Sequence, residues 1–416
     1  MRICIVNNFF PPRVGGSSYV ADTLARHYAA RGHQVLVITA SYHNAPENEH
    51  RDGIDIVRLP SWTLPESKAS FNFDITFALR WGNRKRVFQL LDDFRPDVIH
   101  QHGQFFDLTW QSGWWARRRR VPTMLTFHTR LKSPMKLPNM VFRALDAVVV
   151  RPILSYLKPA RSIAIDTVFY DYIKDRYGIP AERITALPVG VELDRFQDLD
   201  RNLEQKKIRE RFDLGTGPLI VSLGHVIPLR DRVELVRALP AVLARHPDTK
   251  VLVVGRVYYQ EFLKQARELG VESAIVCTGA LPKTDIPGIL SAATMEIHDL
   301  HGFGIGIATL EAMAAGRPTV MAERPDYFPN ARLTNGVNSI LIEPGDTAAL
   351  SDSINRLLAD ETLADQMGGN GRDWVFANFN MPDICDENLE LLEALAHNRM
   401  DSSALSRPSR PGAETA

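Results

Sequence analysis

Cysteine is scarce in this chain. Only three occur among 416 residues, Cys4, Cys277 and Cys385. They are too far apart in sequence to suggest a pair or a metal-ligand spacing. That argues against a disulfide framework and fits a reducing compartment. No run of about 18 apolar residues occurs, so no membrane-spanning helix is expected. The most apolar long segment, 140–157, is broken by Arg143, Asp146, Arg151 and Pro152. The chain opens directly on a strand-like run, so no secretory leader is expected and a cytoplasmic location is. No short tandem repeat is visible. The loop after the first apolar run reads N-N-F-F-P-P-R-V-G-G and lacks G-x-G-x-x-G, which speaks against a nicotinamide dehydrogenase.

Net charge is also missing, because 49 Lys and Arg balance 49 Asp and Glu. The balance conceals an asymmetry. Residues 1–180 hold 25 Lys and Arg against 15 Asp and Glu, and the remainder reverses that excess. The positive charge gathers at 80–86 and 117–120, the latter just behind Trp110, Trp114 and Trp115. Two readings stand: solvated helix faces, or a surface that meets anionic lipid or a phosphorylated acceptor. No groove-reading motif accompanies the charge, so nucleic acid is not an expected partner.

The length exceeds one comfortable core and predicts two domains. Apolar runs at 2–6, 34–39, 54–59, 97–100, 123–127, 162–165 and 184–187 read as strands, with a helical pattern at 17–31. After a charged stretch at 194–218 the pattern restarts. Strands are expected at 219–223, 250–254, 274–278, 294–297, 319–321 and 339–342. Helices are expected at 233–245, 260–269, 286–293, 348–359 and 382–396. Alternation of this kind predicts an α/β fold of two doubly wound, Rossmann-like domains facing across a cleft. The expected bounds are 1–195 for the first domain and 196–375 for the second. A C-terminal helix at 376–398 would pack back toward the first domain, and a disordered tail would follow at 399–416.

The densest signal is H-G-F-G-I-G-I-A-T-L-E-A-M-A-A-G-R-P-T-V, from His301 to Val320. A glycine-rich loop runs into a short apolar helix that carries one acid, Glu311. Such a loop aims backbone N–H groups and the positive helix end at a phosphate or an oxygen-rich sugar. Gly15 and Gly16 form another bare turn between strand and helix, where a diphosphate could approach. His102 and His128 end two strands, and a histidine there can donate a hydrogen bond near reacting groups. Asp198 to Asp200 spells D-x-D but sits in a charged linker rather than at a strand end, so no metal is expected. Asp166 reads as a helix cap.

Five segments, P-P-R-V-G-G-S, P-D-V-I-H-Q-H, L-T-F-H-T, L-P-V-G-V-E-L-D-R-F and the Glu311 segment, together resemble the family-four retaining glycosyltransferases of the GT-B fold. That group includes sucrose synthases and phosphatidylinositol mannosyltransferases, and the resemblance covers about residues 1–395. It implies a metal-independent hexosyltransferase with no bound cofactor. The co-substrate would be a nucleoside-diphosphate sugar, UDP first and GDP second. The acceptor hydroxyl would lie on a lipid, a glycan or a small molecule, and the enzyme could sit peripherally at the inner membrane face. It assigns Gly15, Gly16, His225, Phe303, Gly304, Ile305, Gly306, Ile307 and Glu311 to the donor, and His102 and His128 to the acceptor side. His128, Arg230 and Glu311 would carry catalysis.

Two departures stand out against the resemblance. His225 occupies the place of an arginine in the phosphate clamp, with Arg230 in that of the lysine. Counting back from Glu311 to the family's first glutamate lands on Phe303, leaving His301 or Asp299 as substitutes. A GT-B epimerase and a non-catalytic GT-B subunit are the alternatives.

Overall fold

A computed structural model describes residues 1–13, 15–64, 75–130, 136–197, 199–302 and 304–397. Phe303, Asp198 and the expected disordered tail at 399–416 lie outside the described residues.

The first unit contains β1 (Arg2–Asn7), β2 (Gln34–Ala40), β3 (Asn48–Arg51), β4 (Ile54–Leu59), β5 (Trp62–Leu64), β6 (Ile75–Phe77), β7 (Val98–His102), β8 (Thr123–Phe127), β9 (Arg161–Ala164) and β10 (Ile184–Ala186). Eight of them form one sheet in the order β10-β9-β8-β7-β1-β2-β4-β3, while β5 and β6 make a separate hairpin. Only β3 within the large sheet runs antiparallel to its neighbour. Every residue of β7 and β8 is buried. Helices cover both faces of a parallel sheet, which is why its central strands read as continuous apolar runs. Strand order reverses between β1 and β7, so the crevice opens above Asn7 and His102.

The second unit contains β11 (Leu219–Leu223), β12 (Lys250–Val254), β13 (Ile275–Gly279), β14 (Met295–Glu296), β15 (Val320–Met321) and β16 (Ile340–Leu341). The order is β13-β12-β11-β14, and a parallel bridge from Glu296 to Thr319 carries the sheet on to β15 and β16. Its reversal lies between β11 and β14. Gly224 and the run 297–302 therefore leave the sheet side by side, facing the crevice of the first unit.

The chain crosses between units twice at one place. Val191 N donates to Phe379 O at 2.7 Å, and Met381 N donates to Val191 O at 3.0 Å. The helix Met381–Ala396 then buries Met381, Ile384, Leu389, Leu392 and Leu395 in the core that holds Ile3, Leu24 and Val98. Each such side chain contributes about 1.5–3 kcal/mol of apolar burial. His27 and Asp386 add a 2.7 Å polar contact across that seam.

Two of the three tryptophans that precede the arginine run face inward. Trp115 is buried and its Nε1 donates to Asp92 at 3.1 Å, while Trp110 Nε1 donates to Gln104 O. The helix Asp107–Arg119 turns these rings inward because it packs on the sheet. The fully exposed indole is Trp81, beside Arg80, Arg84 and Arg86. Among the described residues, no helix is long and apolar enough to cross a membrane.

Candidate active site

The site is built from strand ends. After β14, His298 Nδ1 meets Glu296 Oε1 at 2.6 Å, and Asp299 follows. Asp299 is almost fully buried and both its oxygens are engaged. Oδ1 pairs with Arg230 Nη1 at 3.3 Å and lies 3.2 Å from His298 Nε2. Oδ2 accepts from Gly306 N at 2.7 Å and Thr309 Oγ1 at 2.9 Å. Burial alone would raise this carboxyl, but Arg230, His298 and the two donors hold it below its ordinary value. Asp299 thus fixes the start of the helix Ile307–Ala314, whose first N–H groups, at Ile307 and Ala308, have no intrahelical acceptor.

Arg230 ties the same loop from the other side, donating from Nη2 to Gly304 O at 3.3 Å. A Cβ at Gly306 would sit 2.6 Å from Arg230 Nη1, so a side chain there would push the guanidinium out of its place. Gly304 is under double constraint: its φ is 115°, and a Cβ would run into the Tyr327 hydroxyl. Ile305 lies between these two glycines and Ile307 just after them, both half-buried. Phe303 is outside the described residues.

His225 is exposed, and its Nδ1 accepts from Arg256 N at 3.0 Å. Burial of the ring and then the Arg256 charge push its pKa down, so it is neutral at pH 7. It can offer an anion a hydrogen bond but not a charge. A cation missed in the sequence lies nearby. Arg232 is buried beneath this turn, donating from Nη1 to Arg230 O at 2.7 Å and from Nη2 to Gly224 O at 3.2 Å. Burial lowers it only to about 10, so it stays charged. Its signal was the spacing L-R-D-R, two residues beyond the expected clamp.

His301 is paired with Asp231, Nε2 to Oδ1 at 3.3 Å, and the hydrogen bond raises its pKa. Glu323, just past β15, was also missed. Its Oε1 accepts from Gly304 N at 2.6 Å. Beside it, the Tyr327 hydroxyl donates to Asp166 Oδ2 of the first unit at 2.5 Å. Asp166 also caps the helix Thr167–Tyr177, accepting from Phe169 N at 2.7 Å. Thr167 Oγ1 donates to Asp326 O and Tyr327 O, both at 2.8 Å. The two units touch here.

Glu311 lies one turn into its helix, near the crossing point of the chain. Arg195 Nη1 stands 3.4 Å from Glu311 Oε1. Burial raises the Glu311 carboxyl, opposed by the charges of Arg195 and Lys283. The Lys283 ammonium sits 3.1 Å above the Tyr19 ring, which belongs to the first unit. Asp200 of the D-x-D run caps the helix Arg201–Phe212, accepting from Asn202 N at 3.0 Å and Leu203 N at 3.1 Å.

On the opposite wall, Gly15 precedes the helix Gly16–Ala30, and a Cβ at either glycine would meet nothing within 4 Å. The space above that turn is open to a ligand. His128 is half-buried at the end of β8, and His102 lies fully buried behind it. His102 Nδ1 and His128 Nε2 share a 2.8 Å hydrogen bond. Burial lowers both, His128 to about 4, so both rings are neutral. Among the described residues, His102 Nε2 is buried without a hydrogen-bond partner. An unpaired acceptor there costs less than an unpaired N–H, which favours the proton on His102 Nδ1. That tautomer leaves His128 with an N–H at Nδ1. His102 reaches the cleft only through His128.

Two family models match the chain: Glycosyltransferase Family 4 over residues 14–195 and Glycosyl transferases group 1 over residues 204–374. The chain is 29% identical over 394 residues to the GDP-mannose-dependent alpha-(1-6)-phosphatidylinositol monomannoside mannosyltransferase of Mycolicibacterium smegmatis, covering 90% of this chain and 94% of that one. It is 24% identical over 335 residues to the alpha-monoglucosyldiacylglycerol synthase of Streptococcus pneumoniae, covering 78% of this chain and 72% of that one. The structure of HepE from Anabaena in complex with UDP and glucose shares its fold with a TM-score of 0.73, at 18% identity, over 95% of this chain and 100% of that one. The chain belongs to the group 1, family-four glycosyltransferases, and its two Rossmann-like units are the two halves of a GT-B enzyme.

Proposed function

We propose that this glycosyltransferase moves a hexose from a nucleoside-diphosphate sugar to a hydroxyl acceptor, with retention and without a metal ion. The supporting observation is the meeting of three features at one crevice: a glycine loop, a helix start and the Arg230 guanidinium. The open turn at Gly15 and Gly16 stands on the opposite wall. Leaving diphosphate oxygens would take the N–H groups of Ile307 and Ala308 and the remaining donors of Arg230. Preorganised positive charge of this kind stabilises the departing group as the glycosidic bond breaks. In the same-face route the leaving phosphate accepts the acceptor's proton. His128 Nδ1–H would then orient the sugar or the acceptor, and Glu311 would take the ribose hydroxyls. For the donor, the GDP-mannose dependence of the mycobacterial relative favours a GDP-sugar over a UDP-sugar.

The acceptor side favours an anionic lipid at a membrane surface. Leu137, Met140 and Val141 are exposed on consecutive helical turns, and Val148 two turns further on. A pocket of about 400 Å³ beside them is lined by Arg130, Arg143 and Arg176, with Asp171 and Asp175. The mannosyltransferase relative acts on a phosphatidylinositol lipid by its name, which points the same way; the synthase relative's diacylglycerol is neutral and supports a membrane acceptor without the charge.

The test incubates the full chain with GDP-mannose or UDP-glucose, in EDTA, and vesicles containing phosphatidylinositol or diacylglycerol. The expected product is an α-linked glycolipid from the α-configured donor, read by NMR of the anomeric proton. A β-linked product would overturn retention. Transfer only after magnesium or manganese is added would overturn metal independence.

A further inference from the structure

The acid expected eight residues before Glu311 is absent, since Phe303 stands there. The two substitutes suggested by sequence are both occupied. Asp299 has no oxygen left, its two being spent on Arg230, His298, Gly306 N and Thr309 Oγ1. His301 is committed to Asp231, at the start of the helix Val233–Leu243.

Glu323 differs from both. It comes from another strand end yet reaches the same loop, where Oε1 accepts from Gly304 N at 2.6 Å. Its second oxygen makes no hydrogen bond among the described residues, and the side chain is only half-buried. The glycine it touches cannot carry a side chain without striking Tyr327, so the carboxylate meets bare backbone. Around it lie Asp299, Arg230 and Asp166, whose charges it feels. Burial pushes the carboxyl up to about 7, and the Gly304 N–H opposes that rise. A carboxylate with one oxygen anchored and the other unfilled, next to N–H groups suited to a diphosphate, can bind adjacent sugar hydroxyls.

We infer that Glu323 supplies the hydroxyl-binding carboxylate for the transferred sugar, in place of the acid missing at Phe303. This rests on the donor reading above, with the diphosphate at the Ile307 and Ala308 N–H groups and Arg230. It makes Glu323 a specificity determinant that reads hydroxyls of the hexose and leaves the nucleotide alone.

The test compares the wild-type chain with Glu323→Gln and Glu323→Ala. The glutamine keeps an acceptor for Gly304 N, so a loss of fold in the alanine variant does not end the experiment. Calorimetry with GDP and UDP reports the nucleotide half-site. Kinetics with GDP-mannose, UDP-glucose and their 3-deoxy and 4-deoxy counterparts report the sugar half-site. Nucleotide affinity should stay within about twofold in both variants. A hydrogen bond to a charged group sets the loss in kcat/KM for the full hexose at about 10- to 100-fold. A deoxy donor lacking the hydroxyl that Glu323 reads should lose nothing further in the variants. Equal losses for nucleotide and sugar would make Glu323 a strut of the loop and overturn the inference. So would unchanged kcat/KM, or undiminished discrimination against deoxy donors. If the wild-type chain binds neither nucleotide, the donor reading itself fails, and that result is distinct from failure at Glu323.

Discussion

Replacing Arg230 by alanine probes the cation on which the proposed chemistry leans. The guanidinium is about one-third exposed, with side-chain accessibility of 33%, so it can meet a ligand while holding Asp299 at 3.3 Å and Gly304 O at 3.3 Å. Two effects follow and they separate. The structural one is modest. Asp299 keeps His298, Gly306 N and Thr309 Oγ1, and a pair with one partner this exposed is worth about 1 kcal/mol. For a unit of this size that lowers the melting temperature by roughly 2–4 °C. The functional effect is larger. Losing a charge-assisted contact to a diphosphate costs about 1.5–3 kcal/mol, or roughly 10- to 150-fold in affinity. Arg230→Lys keeps the charge but loses the fork, so it should fall between wild type and alanine. Calorimetry with GDP and UDP, beside a thermal melt of each variant, measures both effects. If Arg230→Ala melts like the wild type and binds nucleotide within twofold of it, the phosphate-clamp reasoning is refuted.

Gly306→Ala places a methyl 2.6 Å from Arg230 Nη1; kcat/KM should drop about tenfold or more while circular dichroism stays unchanged. His128→Ala should leave GDP and UDP affinity intact and slow transfer by about 10- to 100-fold; a selective loss of nucleotide affinity would show its role misassigned. The His301–Asp231 pair should make stability depend on pH. Because the partner raises the folded pKa of His301, its contribution is fully present below the ordinary histidine value and is lost as pH rises through the raised one. Melting temperatures taken from pH 5 to 9 should show that fall in the wild type, and His301→Gln should flatten it.

Much of this was legible in sequence because parallel, doubly covered strands announce themselves as apolar runs. β8 lies at 123–127 as expected, and β11 at 219–223. The polar edge strand β3, N-E-H-R, gave no such signal. The helix Glu361–Asn378 was hidden by Gly368, Gly369 and Gly371, which lower helix propensity. Packing overrides that cost, since a Cβ at Gly368 would strike Gly316 O. The glycine loop and Glu311 were readable because one contiguous segment carries them. The places of Arg232 and Glu323 were not. Glu323 owes its place to a contact with another strand end, which spacing along one segment cannot report; the L-R-D-R spacing around Arg232 was visible, but only the fold shows that guanidinium buried beneath Gly224. Composition shows the tryptophans near the arginine run, but only packing shows that Trp110 and Trp115 turn inward.

The most direct measurement is calorimetric titration of GDP and UDP into the full wild-type chain in the presence of EDTA. Binding of one of them in the range of about 1 μM to 1 mM, usual for enzyme substrates, is predicted, with no gain on adding magnesium or manganese. No heat with either nucleotide, or heat only after a divalent ion is supplied, would contradict a crevice that holds the diphosphate by main-chain N–H groups and Arg230.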